Sequence, residues 1–454
     1  MTMGSEQSRF LAMLAFSAGI FCIQLDAFAL NLALLAIAQD FAIPIERLKW
    51  VVSGYLLSVG IFMLAAGRLS DGFGHGRLLR LGLALFGGAS LLCAVAPSLL
   101  WLVAARVLQG LGAACLMPAG LALLGLLYPS EQRGRAIGLA LGLGAIATVI
   151  GPLLGGVLTQ WLGWRFIFWV NLPVVLIALA CCWRIAEPRA HWERAAINGP
   201  GLLLVSLGLA ALGLLLDELG SPERAMPRAG LTLGLLVLCA CLFVWGEKRA
   251  ATPLIDTSLL RNAPYWLLTL AGAVVNTATV VHLFVVPLSL QGVWGLSPLQ
   301  AGVAFLAPAA LLACGGPIAG RIPATEAVWA MAICLGVSAM LLASAALAHG
   351  WLLYLLLVTL CGASLGIANA LTLIATQAVV AEQVAGLASG LTKTITTLAA
   401  GFGVILAGRS SGPLLDVQSV FGSLAACCLL TCFALLLGQR YWADKQTVDK
   451  LTGR

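Results

Sequence analysis

Gly138-Leu-Ala-Leu-Gly-Leu-Gly-Ala-Ile-Ala-Thr-Val-Ile-Gly151-Pro152-Leu-Leu-Gly155-Gly156 carries no charge and is long enough to cross a bilayer, yet it is crowded with residues that weaken a helix in water. Such a segment belongs in lipid. Its small residues let neighbouring helices approach backbone to backbone, and Pro152 removes one helical hydrogen bond, so a bend is expected there. The pattern returns at an offset of 252: Gly138, Gly151 and Gly156 fall on Gly390, Gly403 and Gly408, while Gly110 falls on Gly362 and Gly134 on Gly386. Two halves of the chain read as copies. A membrane protein made of two helical halves places its site between them.

Composition fixes the class. With 61% hydrophobic and 9% charged residues, the chain falls far below the roughly 25% charge of soluble globules. It reads as an all-α polytopic membrane protein. The net charge of +7 sits in short loops, where it sets orientation, so nucleic acid is not an expected partner. The 13 cysteines lie in apolar runs without metal-ligand spacing, and neither a metal nor a cofactor is expected. The first apolar run lacks a cleavage site and is expected to be retained.

At about 20 apolar residues per crossing, fourteen transmembrane helices are expected, the first near 10–38 and the last near 418–438. Residues 1–185 form an N-terminal six-helix bundle, 186–262 a connector with two additional helices, 263–440 a C-terminal six-helix bundle, and 441–454 a tail. The two additional helices have no counterpart in the repeat and are expected outside the two-fold core. Loops on the side of both termini hold most of the 25 cations, among them Arg9, Arg68, Arg77, Arg80, Arg133 and Arg135. The positive-inside rule then places both termini in the cytoplasm, and a bacterial cytoplasmic membrane is the expected location.

Four stretches in order carry a resemblance. Leu25-Asp26-Ala-Phe-Ala-Leu-Asn31 opens the set, followed by Leu48-Lys-Trp50-Val-Val-Ser-Gly-Tyr55. A loop then reads Gly67-Arg-Leu-Ser-Asp71-Gly-Phe-Gly74-His-Gly-Arg77. Arg106-Val-Leu-Gln109-Gly110-Leu-Gly112 is third, and Gly151-Pro152-Leu-Leu-Gly155-Gly156 with Trp164-Arg165 and Asn171-Leu-Pro173 is fourth. Together they resemble the major facilitator superfamily, and within it the fourteen-helix drug:proton antiporter branch. The resemblance implies two six-helix bundles plus two extra central helices, alternating access and proton-driven export. It also makes the helix 5 motif an antiporter feature.

A charge in mid-membrane is costly and needs a reason. Asp26 lies roughly 18 Å from the outer end of its helix, at 1.5 Å per residue, where a low dielectric favours the neutral acid. Proton coupling and cation binding both fit; a structural partner for a neighbouring polar group is the plainer alternative. Arg106 stays charged in protein interiors. It reads either as the group that tunes Asp26 or as a pin bonded to helix carbonyls. Asn31, Gln24 and Gln109 are candidates for a polar substrate lining, or for interhelical hydrogen bonds. The second half offers Asn276 and His282, with Gln291, Asn369, Gln377 and Lys393 as further polar positions; Lys393 could instead snorkel to the surface. Asp217 and Glu218 read as interfacial. Asp71, placed in a loop before helix 3, can cap a helix N-terminus or pair with Arg135; it is expected to gate, together with Gly67, Gly74, Arg77, Gly151, Pro152, Gly155 and Gly156, and a solvated loop acid is the plainer alternative.

The expected function is a proton-coupled secondary antiporter that exports lipophilic, cationic drugs or toxic compounds. Its partners are a small-molecule substrate, protons and membrane lipid, and a monomer is expected. The alternative is a dedicated exporter of one metabolite, such as a siderophore or an antibiotic. Proton symport is disfavoured by the helix 5 motif. An enzyme is not expected, because no nucleophile has a paired base, and no phosphate-binding loop is present for an ATP-driven pump. A sensor would need a soluble output domain, for which no stretch is long enough.

Overall fold

In lipid a backbone has no hydrogen-bond partner but itself, so a chain this apolar must be helical. The computed structural model describes residues 5–185, 199–218, 226–247, 249, 262–380, 385–408 and 416–452, and contains no strand among them. The N-terminal half comprises α1 (Ser5–Asp40), α2 (Lys49–Phe73), α3 (His75–Ala94), α4 (Leu99–Leu127), α5 (Ser130–Trp161), the short α6 (Phe166–Trp169) and α7 (Asn171–Trp183). Next come α8 (Gly199–Glu218) and α9 (Met226–Glu247). The C-terminal half comprises α10 (Ala263–Gly292), α11 (Pro298–Ala319), α12 (Ala327–Ala346), α13 (Trp351–Ala378), α14 (Ala385–Ala407) and α15 (Val417–Thr452).

Among the described residues, thirteen helices are long and apolar enough to span a membrane, α6 and α7 together making one of them. The sequence-based count of fourteen differs by α2, whose 25 residues lie in the bundle beside α4 and α14. Helix starts follow local chemistry. Ser98 accepts a bond from Trp101 N at the head of α4, Asn262 does the same for Tyr265 N at α10, and Ser297 with Gln300 forms a capping box at α11. The expected loop around Asp71 is instead the last turn of α2. The break comes at Gly74, whose φ of 99° is open to glycine at no steric cost. The side chain of Asp71 lies outside the described residues, as does the connector 186–198.

Packing reproduces the repeat. α1 packs on α5 as α10 packs on α14, α2 on α4 as α11 on α13, and α3 on α4 as α12 on α13. Between halves, α5 meets α11 and α2 meets α14, so each copy of the glycine-rich helix crosses to the other bundle. α8 rests on α2 and α14 from outside and pairs with α9. Leu231, Leu238, Met340 and Leu430 are more than half exposed, as a lipid-facing surface requires. The tail beyond residue 440 continues α15 as a helix.

Candidate functional site

Asp26 on α1 and Arg106 on α4 are both buried and form an ion pair through Asp26 Oδ2 and an Arg106 terminal nitrogen. Gln109, one turn beyond Arg106, ties the pair together. Its Oε1 accepts from the same guanidinium nitrogen at 2.5 Å, and its Nε2 donates to Asp26 Oδ1 at 3.2 Å and Ser90 Oγ at 3.0 Å. Arg106 Nε donates to Val51 O at 3.1 Å, which anchors the group to α2. The Tyr55 ring covers the guanidinium, with Cζ 4.3 Å from its centroid. A buried ion pair is tolerable when its other donors and acceptors are bonded, and this network bonds both carboxylate oxygens and two of the three guanidinium nitrogens.

A cavity of about 470 Å³ lies between the halves in the middle of the molecule. Phe28, Leu56, Met63 and Met117 give it an apolar wall on one side, Leu283 and Leu312 on the other. Its polar groups are few, a composition suited to amphipathic compounds. Gln24 donates to Thr148 Oγ1 at 3.0 Å on the N-terminal side. Facing it, Asn369 donates to Asn276 Oδ1 at 3.1 Å, and Asn276 donates to Thr396 O at 2.9 Å. Lys393 completes the lining from α14.

The halves close against each other at the end remote from the termini. Gln291 Nε2 donates to Leu32 O at 3.0 Å, and Leu299 N donates to Gln160 Oε1 at 3.1 Å. Here the glycine motif has its use: a Cβ on Gly156 would stand 2.5 Å from Pro298 O, and one on Gly302 would stand 2.6 Å from Pro152 O. Gly151 and Gly155 face Phe28 and Ala29 of α1 in the same manner. Backbone packs on backbone, and no other residue type fits. The cavity lies on the terminal side of this closure.

Of the six residues expected to touch cargo, Gln24 and Asn276 line the cavity. Asp26 and Gln109 point instead into the N-terminal bundle, behind Tyr55. Asn31 is buried and donates to Ala27 O at 2.9 Å. His282 is buried in the C-terminal bundle, its ring 6.5 Å from both Phe305 and Phe421. Of the expected gating residues, Arg77 and Arg135 are exposed, and nothing lies within 4 Å of where a Cβ on Gly67 would stand. Sequence reasoning did not single out Thr148, Thr279 and Thr397 on the wall, or Ser90 behind Gln109. A lone small hydroxyl in an apolar helix was the only signal, and it marks no direction. Asp217, expected to be interfacial, pairs with Lys49 at the head of α2 and accepts from Trp50 Nε1 at 3.2 Å.

The Major Facilitator Superfamily profile matches residues 16–404. Among proteins similar in sequence is the multidrug resistance protein Stp of Mycobacterium tuberculosis, 32% identical over 85% of this chain and 73% of that protein. The methylenomycin A resistance protein of Bacillus subtilis is 34% identical over 67% of this chain and 65% of its own length. The tetracenomycin C resistance and export protein of Streptomyces glaucescens is 31% identical over 68% of this chain and 58% of its own. In fold, the chain is similar to a peptide transporter, POT, crystallised with sulfate: TM-score 0.71, 15% identity, covering 95% of this chain and 94% of that one. A bacterial homologue of the lysosomal transporter Spinster, inward-facing and unoccupied, gives 0.68 with 16% identity over 96% of each chain. The profile match and the two-bundle architecture agree with the four motifs, and the chain belongs to the Major Facilitator Superfamily of membrane transporters.

Proposed function

We propose that this chain is a proton-coupled antiporter that exports amphipathic drug-like compounds from the bacterial cytoplasm by alternating access. The observation that carries this reading is the buried Asp26–Arg106–Gln109 unit, packed against the ring of Tyr55, a residue that lines the cavity. Protonating Asp26 cancels its charge and leaves Arg106 holding Gln109 and Val51 O without an anionic partner on α1. The pull between α1 and α4 weakens. Because α1 packs through Ala29 on Gly155 of α5, and α5 seals the remote end against α11, a shift of α1 is transmitted to that closure.

In this reading both termini are cytoplasmic, and a cavity on the terminal side of the closure is one that an exporter loads from the cytoplasm. An external proton reaching Asp26 in the opposite state would return the carrier. The expectation of a cationic cargo required the Asp26 carboxylate on the cavity wall; with that group paired inside the bundle, recognition falls to the apolar wall and its few polar groups. Apolar contacts constrain geometry weakly and favour breadth of substrate. The molecule works as a monomer in this reading, since both halves of the cavity come from one chain.

The deciding experiment uses proteoliposomes bearing a pH gradient, with proton movement followed on addition of cationic, neutral and anionic drugs. Proton release dependent on Asp26, lost in Asp26→Asn, is the expected result. Drug transport that proceeds equally in Asp26→Asn would sink proton coupling through this residue. A second reading, a dedicated exporter of one metabolite, is favoured by the relatives named for methylenomycin A and tetracenomycin C. Accumulation assays across a drug panel in efflux-deficient cells separate the two: activity against a single compound selects the second.

A further inference from the structure

Lys393 is the one charged side chain among the residues that line the central cavity. No carboxylate among the described residues pairs with it. The deepest acid among the described residues, Asp26, is already neutralised by Arg106 and is not among the cavity-lining residues, so the pair adds no net charge to the wall. The remaining polar wall is neutral: amides of Gln24, Asn276 and Asn369, and threonine hydroxyls. The cavity as a whole is therefore apolar with a single positive centre.

We propose that this cavity selects amphipathic anions, compounds with an apolar body and a carboxylate or similarly acidic group, and that Lys393 is the residue that selects them. This rests on the export reading above and names its substrate class. An ammonium facing an apolar cavity lacks a counter-charge, and an incoming anion supplies one; an incoming cation meets like charge and must shed its own hydration as well. The lysine is also held in place. Asn276 on α10 bonds to Thr396 O, and Thr396 Oγ1 donates to Lys393 O at 3.0 Å, so the turn carrying Lys393 is fixed to α10 and through Asn369 to α13. Phe28, Leu56 and Met63 lie on the other half of the wall, where a ring or acyl chain would rest while its acid group meets Lys393.

The test uses three probes with one ring system and three charges: naphthalene-carboxylate, naphthalene-methanol and naphthylmethyl-trimethylammonium. Binding to the purified full chain in nanodiscs is measured by equilibrium dialysis, and uptake is measured in energised everted vesicles. The carboxylate is expected to bind at least about tenfold more tightly than the ammonium, the range of coupling seen for desolvated charge pairs. Lys393→Met should erase that difference, and Lys393→Arg should keep it. Equal or tighter binding of the ammonium, an unchanged preference in Lys393→Met, or binding of none of the three probes would overturn the proposal. Vesicles that concentrate the ammonium and not the carboxylate would overturn the anion assignment and leave export standing. Vesicles that concentrate no probe, with the carboxylate bound in a Lys393-dependent manner, would uphold the cavity assignment and count against export.

Discussion

Arg106 and Asp26 meet as an ion pair across α4 and α1, 80 residues apart, with both side chains shut away from solvent. Removing one partner strands the other in a low-dielectric interior, which costs about 3–5 kcal/mol. Arg106→Ala should therefore lower the thermal midpoint of the purified protein well below that of Asp26→Asn, whose amide can still accept from Gln109. The Asp26→Asn, Arg106→Ala double variant should recover much of the loss. Thermal unfolding in one detergent, run as a double-mutant cycle, reads the coupling directly.

The remote closure depends on glycine. A Cβ on Gly156 would stand 2.5 Å from Pro298 O, so Gly156→Leu pushes α5 from α11. Overpacking costs about 1–3 kcal/mol, enough to shift a two-state access equilibrium by about tenfold toward the state open at that end. A cysteine introduced by Gln160→Cys, whose native side chain holds Leu299 N, should then react faster with an impermeant maleimide. Unchanged labelling in Gly156→Leu would mean the contact does not govern access.

Lys49 and Asp217 join the additional helix α8 to the head of α2. Lys49 is buried and Asp217 is about one-third exposed, so solvent screens the pair in part and its loss should cost on the order of 1 kcal/mol. Asp217→Asn, which keeps a group for Trp50 to bond, is expected to lower the melting temperature by a few degrees and to leave the cavity intact. Transport of a drug by Asp217→Asn at the wild-type rate would confine α8 to a supporting role.

His282 offers the opposite case. Both ring nitrogens are buried without a hydrogen-bond partner, and the ring sits between Phe305 and Phe421. An unsatisfied buried polar group costs about 1–3 kcal/mol. His282→Phe should therefore hold or raise thermal stability and leave transport unchanged; loss of transport in a stably folded His282→Phe would return a functional role to the imidazole.

Hydropathy made the membrane class and thirteen of the spanning helices legible in the sequence alone. Those features depend on transfer between water and lipid, a property that adds along the chain and can be read one segment at a time. Which way a side chain points around its helix axis is another matter. In a helix apolar on every face, the sides toward lipid, neighbour and cavity look alike, so nothing in the sequence distinguished Asp26 facing Arg106 from Asp26 facing cargo. The same limit hid the turn of Lys393 toward the cavity and the pairing of Lys49 with Asp217, residues far apart in the chain. The glycine motif was legible as a close-packing stripe, but its partners, Ala29 and Pro298, were fixed only when the two halves came together. Tertiary packing decided these contacts because a buried charge or a bare backbone is stabilised by whichever group the fold brings within reach, and that group is rarely near in sequence.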